Sequence, residues 1–393
     1  MTETEYSARL LQDFIDMLRV IGSLKSRPIE RALQEVPRHL FVDRMHPLGK
    51  QKSFIEIDPQ RPTKRQLERI YSDDALLSHK NPPSSTSQPS LVVQMLETLR
   101  IHPGDRVLEI GAGTGWNAAL MAYLAGPRGH VVTIDIQGHV AHAARRHLKR
   151  LAIENAMVVT GDGAKGYTKG APYDRLITTV TCPEVFPTWW EQLAPGGVML
   201  VTLSDLPGES WCLLVKLTKR KDHLSGEVVS LPGFMLFTGK HKVMPLWDQA
   251  KKRIDRFAGR RPAARERAFW AGIEEWRREW VRRDLAFFAR LQGFDVVPLM
   301  RSGQGRDPIK GNFVLSTSDT EGTCLIDEQH LTAYGSTDCF HRFKKVKATW
   351  LSIGAPSRTQ YRVEVWPDVA QRRRGKNTWN LCLGSMEFTF SLK

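Results

Sequence analysis

The chain has 393 residues and a formal net charge of +15, and 41% of its residues are hydrophobic. This length predicts two or three domains, with enough apolar residues for a sizeable core. The apolar runs are far shorter than the roughly 20 residues of a membrane span, and the polar first residues are unlike a secretory signal. The five cysteines form no Cys-x-x-Cys pair, so we expect no disulfide framework, no metal site and a cytoplasmic location.

Much of the positive charge falls between residues 251 and 290, in a run that includes Lys251, Arg253, Arg265, Arg267, Arg282 and Arg283. Such an excess suits either nucleic acid or an acidic peptide as a partner. A run of charge is equally often only the solvated face of a helix, so composition leaves these three interpretations open.

Residues 1–90 are expected to form an N-terminal helical and substrate-loop region. Its helices are indicated by apolar residues at helical spacing and by a proline in a first turn, and its loops by polar, proline-containing stretches. The predicted segments are helices over 5–20, from Ser26 and over 91–99, and loops over 47–70 and 81–89.

Residues 91–243 are expected to form a central ligand-binding core, and from residue 105 to about 215 apolar runs of strand length alternate with amphipathic runs of helical length. The predicted strands are 106–110, 130–134, 157–159, 175–179 and 198–202, and the predicted helices are 116–125, 137–151 and 184–193. This alternation predicts an α/β fold, a doubly wound Rossmann-like parallel sheet. In such sheets a ligand lies at the carboxyl ends of the strands.

Residues 244–393 have a different character and predict an extra α+β C-terminal region. Residues 262–292 show aromatic residues at helical spacing, and Gly293 follows them. Strands are predicted over 313–315, 345–353, 361–366 and 380–392. We expect this region to take part in substrate recognition, although it can equally serve only to cover an apolar face of the sheet.

The first strand of the central region ends in a glycine-rich turn, Gly111-Ala112-Gly113-Thr114-Gly115, with Glu109 just before it. Glycines at a strand end let a nucleotide-like ligand approach the backbone closely. An acid at the place of Glu109 disfavours a pyrophosphate, because the two negative charges would repel. This disfavours a nicotinamide dinucleotide as the ligand.

Two further acids follow later strands. Asp135 ends the second predicted strand, about 20 residues after the glycines, where a carboxylate binds a ribose. Asp162 lies between two glycines after the third strand, where it can accept a hydrogen bond from an adenine amino group or simply form a turn. Two acids without a phosphate cradle suit a cationic cofactor with a free ribose, and S-adenosylmethionine has both features.

A cluster of hydroxyls, Ser84-Ser85-Thr86-Ser87, precedes Gln88, Pro89 and a predicted helix. The cluster is typical of a helix N-cap. It can also present hydroxyls and helix-end N–H groups to a substrate carboxylate.

These motifs occur in the order typical of the protein-L-isoaspartate O-methyltransferases, and residues 26–240 resemble that family. The residues that carry the resemblance are Val36-Pro37-Arg38-His39, Phe41-Val42, Tyr71-Ser72-Asp73, residues 85–89, residues 107–117, Gly161-Asp162-Gly163, Tyr173-Asp174-Arg175, Pro183, and Leu193 with Pro195-Gly196-Gly197. An ordered series of this kind is far more specific than one glycine turn.

The resemblance implies a class I methyltransferase that uses S-adenosylmethionine to esterify the side chain of an aspartyl or isoaspartyl residue. Ser87 takes the place of the family's active-site serine, and Ser85, Thr86 and Gln88 that of substrate-binding residues. The implied cofactor-binding residues are Glu109, Gly111, Ala112, Gly113, Gly115, Asn117, Asp135, Ile136, Asp162 and Gly163.

The chain departs from the family pattern in the substrate loop and in its length. Residues 75–79 replace a Leu-Pro-Ile-Gly segment, Thr86 replaces an apolar residue, and residues 244–393 have no counterpart in the ordinary enzyme. Long members of the family are associated with ribosomally made modified peptides. The resemblance therefore implies esterification of an aspartate in such a peptide, followed by succinimide (aspartimide) formation, with an acidic substrate expected.

Two other functions remain as alternatives. General repair of isoaspartyl proteins is the role of the ordinary family member. A nucleic-acid methyltransferase suits the positive charge, but amino-group methylation usually needs an Asn/Asp-Pro-Pro-aromatic loop after the fourth strand. That place reads Thr178-Thr179-Val180-Thr181-Cys182-Pro183.

Overall fold

The computed structural model describes residues 3–46, 53–206, 209–242, 252–253, 255–257, 260–299, 312–316, 322–367, 375 and 377–393. Residues 47–52 of the predicted loop and Lys251 of the basic run lie outside this part of the chain. The chain forms two compact units. One comprises residues 1–180, 186–201 and 218–221, and the other comprises residues 181–185, 202–217 and 222–393. The domain boundaries near residues 90 and 243 stay predictions.

The first unit begins with two helices, as predicted. These are α1 (Glu3–Val20) and α2 (Arg27–Glu35), followed by a 3-10 turn (Arg38–Phe41), strands β1 (Arg44–Met45) and β2 (Ile55–Glu56), and helix α3 (Lys64–Ile70). The prediction of a loop over 47–70 was wrong for β2 and α3. Helix α3 begins because Thr63 and Gln66 satisfy each other's backbone N–H groups, and Leu67 and Ile70 become buried.

A hairpin follows, formed by β3 (Leu76–Lys80) and β4 (Pro83–Thr86), and then helix α4 (Pro89–Leu99). The prediction of a loop over 81–89 was wrong for the four residues of β4, which pair antiparallel with β3. The strand lacks the expected apolar alternation because the side chains that it buries, Ser84 and Thr86, are polar. A pattern search based on hydrophobicity does not detect such a strand.

The core of the first unit is the predicted parallel sheet. Its elements are β5 (Arg106–Ile110), α5 (Trp116–Ala125), β6 (His130–Asp135), α6 (Gly138–Arg150), β7 (Ala156–Thr160), β8 (Tyr173–Thr178), α7 (Pro187–Gln192) and β9 (Leu193–Leu203). The strand order β9-β8-β5-β6-β7 places β6 on one side of β5 and β8 on the other. The strand order therefore reverses at β5, which opens a crevice at the carboxyl ends of the strands. The doubly wound fold is confirmed.

The second unit is mixed α and β, as predicted. Its elements are β10 (Leu213–Lys219), β11 (Leu224–Ser230), β12 (Ala264–Arg267), α8 (Glu275–Leu291), β13 (Asp295–Leu299), β14 (Asn312–Ser316), β15 (Thr323–Ile326), β16 (His330–Tyr334), α9 (Asp338–Ser352), β17 (Tyr361–Trp366), β18 (Thr378–Leu383) and β19 (Met386–Leu392). Strands β11, β17, β19 and β18 pair antiparallel in this order. Five more strands pair antiparallel in the order β12-β16-β15-β14-β13.

Two predictions in this unit were wrong. Residues 264–267 form a strand on the sheet rather than the start of a helix. Residues 345–352, predicted as strand, belong to helix α9. There Phe343, Val346 and Trp350 lie three to four residues apart and are buried in the same apolar core as Phe288 of α8. Burial of each such side chain stabilises the fold by about 1.5–3 kcal/mol, which outweighs weak local preferences.

Candidate active site

The turn after β5 passes so close to other segments of the chain that only glycine fits. Gly111 and Gly113 have positive φ angles of 104° and 51°. A Cβ atom would lie 2.5 Å from the Thr179 hydroxyl at Gly111, and 2.9 Å from the Ser85 carbonyl oxygen at Gly113. The glycine turn therefore lies directly against β4. Gly115 has a different environment, because its Cβ would meet Ala144 of α6, so it mainly allows α5 and α6 to pack.

Glu109 is a buried acid with unsatisfied hydrogen-bonding capacity. Its side chain is 1% exposed, and the Asn117 amide donates to its Oε1 at 2.7 Å. Glu109 Oε2 and Asn117 Oδ1 are both buried and have no hydrogen-bond partner among the described residues. Burial raises the pKa of Glu109 to about 7. A positively charged or hydrogen-bond-donating ligand would satisfy these atoms.

Asp135, at the end of β6, is fixed beside the glycine turn. Its Oδ2 accepts from the Gly113 N–H at 3.2 Å, and its Oδ1 accepts from the Gln137 N–H at 2.9 Å. Burial raises its pKa, and these backbone hydrogen bonds oppose that rise. Ile136, the next residue, is an exposed apolar side chain. The pair offers a carboxylate for hydroxyl groups and an apolar surface for a flat ring.

Asp162 and Gly163 follow β7 and approach the same strand ends. Asp162 Oδ1 accepts from the Ala164 N–H at 3.0 Å and so begins a short 3-10 turn. A Cβ on Gly163 would lie 2.4 Å from Cγ2 of Ile110, the last residue of β5. The turns that follow β5, β6 and β7 therefore meet at one edge of the sheet, as predicted from sequence.

These residues fit S-adenosylmethionine. The buried unsatisfied oxygen of Glu109 and the fixed carboxylate of Asp135 suit a ligand that carries a cation and ribose hydroxyls. The glycine turn leaves space that a Cβ atom would fill. The assignment of individual cofactor contacts to Ala112, Gly115, Asn117, Ile136, Asp162 and Gly163 stays a prediction.

The hydroxyl segment, which comprises Ser84, Ser85 and Thr86 of β4 and Ser87 just after it, is adjacent to this crevice. Ser85 contacts the glycine turn through its carbonyl, Thr86 is buried opposite Leu76 of β3, and Ser87 is half-buried. The serine hydroxyls do not cap α4, because its first residues follow Gln88 and the Ser90 N–H donates to Asp73 instead. The hydroxyl of Ser87 is therefore not used as a helix cap.

Two residues that were not assigned to the site from sequence, Asp73 and Arg38, make hydrogen bonds to Gln88 and Ser87. The Gln88 amide donates to Asp73 Oδ2 at 2.8 Å, so its side chain is held by protein in this structure. Arg38 donates to the carbonyl of Ser87 at 3.0 Å. The sequence signal for Arg38 was a charged residue within the apolar run 36–42, which predicts a buried and therefore paired charge.

In the part of the chain that the structure describes, no group of three His, Cys, Asp or Glu side chains is arranged to hold a metal ion. No helix among those same residues is long and apolar enough to cross a bilayer.

Residues 9–230 match the model of the protein-L-isoaspartate(D-aspartate) O-methyltransferase family. The chain is 34% identical to the protein-L-isoaspartate O-methyltransferase of Pyrococcus horikoshii over 53% of its own length and 83% of the relative's. It is 31% identical to the enzyme of the same name from Methanothermobacter thermautotrophicus, over 59% and 95% respectively.

The fold also resembles a solved structure titled protein-L-isoaspartate O-methyltransferase. The TM-score is 0.53 at 24% identity, and the alignment covers 90% of this chain and 96% of the other. At this identity the likeness concerns the fold alone. It nevertheless extends well beyond residues 9–230.

Proposed function

Since the chain belongs to the protein-L-isoaspartate(D-aspartate) O-methyltransferase family, we propose that it methylates the side-chain carboxylate of an aspartyl or isoaspartyl residue in a peptide. The chain is an S-adenosylmethionine-dependent O-methyltransferase. The observation that carries the proposal is the contact between the glycine turn and Ser85, which brings the hydroxyl segment to the cofactor crevice.

The chemistry requires little proton transfer. A carboxylate with an ordinary pKa of about 4 is already ionised at neutral pH, so no strong general base is needed. S-adenosylmethionine, when bound, supplies a methyl group on a positively charged sulfur that a carboxylate oxygen can attack. The protein must align the carboxylate and exclude water.

Each side chain has a defined task in this scheme. Glu109 and Asp135 hold the cofactor through its positive and hydroxyl-bearing parts. The Ser87 hydroxyl donates a hydrogen bond that orients the substrate carboxylate without forming a covalent bond. Ser85 and Thr86 line the approach to the crevice. The β3–β4 hairpin, which has a buried face and an exposed tip, excludes water from the reacting atoms on its buried side.

The finer proposal concerns the substrate, a ribosomally made modified peptide with an ordinary aspartate. Thr86, in place of an apolar residue, and the second unit support it. After esterification, the backbone nitrogen of the next residue attacks the ester carbonyl, a C–N bond forms, and the C–O bond to the methoxy group breaks. The nitrogen's proton leaves with the methoxy group as methanol, and a five-membered succinimide remains.

General repair of isoaspartyl proteins is a second candidate with its own support. The relatives that the chain matches over most of their length are named for isoaspartate. In addition, the solved structure named protein-L-isoaspartate O-methyltransferase aligns with 90% of the present chain. The length of this chain beyond residues 9–230 therefore does not by itself favour a specialised substrate.

Two synthetic peptides that differ only in having aspartate or isoaspartate at one position test the proposal. The full chain and S-adenosylmethionine are added, and products are followed by mass spectrometry. We expect the aspartyl peptide to gain one methylene group and then to fall below its starting mass by one water. Esterification of the isoaspartyl peptide alone would favour repair. Failure of the chain to bind S-adenosylmethionine, or methylation of RNA instead, would overturn both.

Replacement of Ser87 by alanine tests the orienting role. We expect turnover to fall about 10- to 100-fold because the carboxylate loses its fixed orientation. Binding of S-adenosylmethionine, measured by calorimetry, should be unchanged. A Ser87→Ala enzyme with the parent's kcat would remove Ser87 from the mechanism. Ser7, a half-buried position on α1, provides the matched Ser→Ala control.

A further inference from the structure

Arg38 joins segments that are distant in the sequence. Its side chain is buried, and its two terminal nitrogens donate to four backbone carbonyls. Nη1 donates to Ile70 at 2.6 Å and to Ser72 at 3.1 Å. Nη2 donates to Asp74 at 2.8 Å and to Ser87 at 3.0 Å. The guanidinium thus binds the carbonyl of the candidate active-site serine and the loop after α3 together.

The same guanidinium also contacts the helix that follows the glycine turn. It lies 5.4 Å from the ring centre of Trp116, the first residue of α5. The Trp116 indole N–H donates to the carbonyl of Val36 at 3.0 Å. Arg38 therefore contacts both the helix that follows the glycine turn and the carbonyl of Ser87.

Asp73 holds the residues on the other side of Ser87. It lies between Ser72 and Asp74, whose carbonyls Arg38 binds. Its Oδ2 accepts from the Gln88 amide at 2.8 Å, and its Oδ1 accepts from the Ser90 N–H at 2.7 Å. Ser87 is consequently fixed at its own carbonyl by Arg38 and just after it by Asp73.

We propose that Arg38, assisted by Asp73, is a positioning residue that fixes the Ser87 hydroxyl relative to the glycine turn. The inference rests on the role of Ser87 in the proposed function. Methyl transfer depends on alignment, and a displacement of about 1 Å can lower a rate about 100-fold. Burial lowers the pKa of Arg38 to about 9, so the guanidinium is still charged and donates to all four carbonyls at neutral pH.

Replacement of Arg38 by lysine is the first test. Lysine keeps the charge but concentrates its donors on one nitrogen, so it cannot bind four carbonyls in a plane. We expect kcat to fall about 10- to 100-fold while KM for S-adenosylmethionine changes less than about threefold. Arg175→Lys is the matched control, because Arg175 donates to the carbonyls of Leu99 and Arg100, both at 3.0 Å, near the opposite ends of the strands. Its kinetics should match the parent's.

A double-mutant cycle separates positioning from a general structural effect. If Arg38 acts through Ser87, Arg38→Lys should lower kcat less than about threefold when Ser87 is already alanine. An undiminished further loss in the Ser87→Ala background, or an unchanged kcat of Arg38→Lys, would overturn the inference.

Two further results complete the test. The kcat of Asp73→Ala, a variant that leaves the buried arginine in place, is measured with and without Ser87→Ala. This second double-mutant cycle is the test if Arg38→Lys does not fold. Unchanged turnover of Ser87→Ala would instead refute the proposed role of Ser87, so the two failures are distinguishable.

Discussion

Glu109 shows how one buried residue links the cofactor site to stability. Its side chain is almost fully buried, and burial raises its pKa to about 7. The proton is therefore bound more tightly in the folded chain than in the unfolded chain, where the pKa is about 4.5. Such a group stabilises the fold fully below pH 4.5, and this stabilisation is lost as the pH rises through 7.

We expect Glu109→Gln to remove this pH dependence. In the absence of cofactor, the free energy of unfolding of the parent should fall by about 3 kcal/mol more than that of the variant between acidic pH and pH 8. Glutamine keeps the hydrogen bond from Asn117 and carries no charge. Chemical denaturation of both proteins across this pH range measures the difference. Parallel curves would show that the pKa of Glu109 is the same in the folded and the unfolded chain.

Among the secondary-structure elements, the site depends on the contact between the glycine turn and strand β4. The contact of Gly113 with the Ser85 carbonyl joins a motif of the central sheet to a hairpin far away in sequence. A side chain at that point would push the two apart.

Gly113→Ala is expected to lower kcat/KM at least about tenfold, because its Cβ would lie 2.9 Å from a backbone oxygen of β4. The control is Gly104→Ala, at a position that also has a positive φ, of 93°, but has no atom within 4 Å of the added Cβ. Both variants should lose about 1 kcal/mol of stability from the left-handed backbone. Only Gly113→Ala should lose activity. Equal kinetics of the two variants would contradict the proposed contact.

The second unit contains a buried ionic network of its own. Arg358 is fully buried, donates to Asp205 and Asp284, and lies over the ring of Trp280. Because its partners are buried as well, removal of the cation would leave two buried carboxylates without the cation that donates hydrogen bonds to both.

Arg358→Met should therefore destabilise the chain by about 3–5 kcal/mol at neutral pH. Burial already raises the pKa of Asp284, so this acid can be protonated at low pH and the loss should be smaller there. Arg362→Met, at an exposed position on β17, is the control and should change stability by less than about 0.5 kcal/mol. Thermal unfolding at two pH values measures both effects.

At the scale of the whole molecule, the net charge of +15 is divided between buried and exposed residues. Arg282 and Arg283 of the predicted basic face are buried, and Arg283 is paired with Glu209 and Glu279. Arg265 and Arg267, on β12, are exposed. The second unit can therefore attract an acidic peptide only through part of the basic run.

We expect KM for an acidic peptide to rise about tenfold between about 50 mM and 500 mM NaCl, because salt screens exposed charges. A neutral peptide of the same length should show little change. Replacing Arg265 and Arg267 by glutamine should weaken the salt dependence for the acidic peptide. Identical salt dependence of the two peptides would remove the preference for acidic substrates. The measurement is initial rate against peptide concentration in the full chain.

The order of elements in the central sheet was predictable from sequence alone. Strand β5 and helix α5 have the predicted bounds because both elements are largely buried, and their mainly apolar sequences lie next to glycines. The acids at 109, 135 and 162 could be placed at one edge because parallel strands end at the same edge.

Only the tertiary structure decided the remainder. Strand β4 is built from serine, threonine and proline, and α9 carries an alternation that favours a strand. Pairing with β3 and burial of Phe343 and Trp350 determine these two conformations, and both are long-range contacts. The arginine that binds the Ser87 carbonyl was visible as a charge in an apolar run, but its four partners were not. Local sequence encodes periodicity and turns, whereas the partner of a buried charge depends on which distant segments the fold brings together.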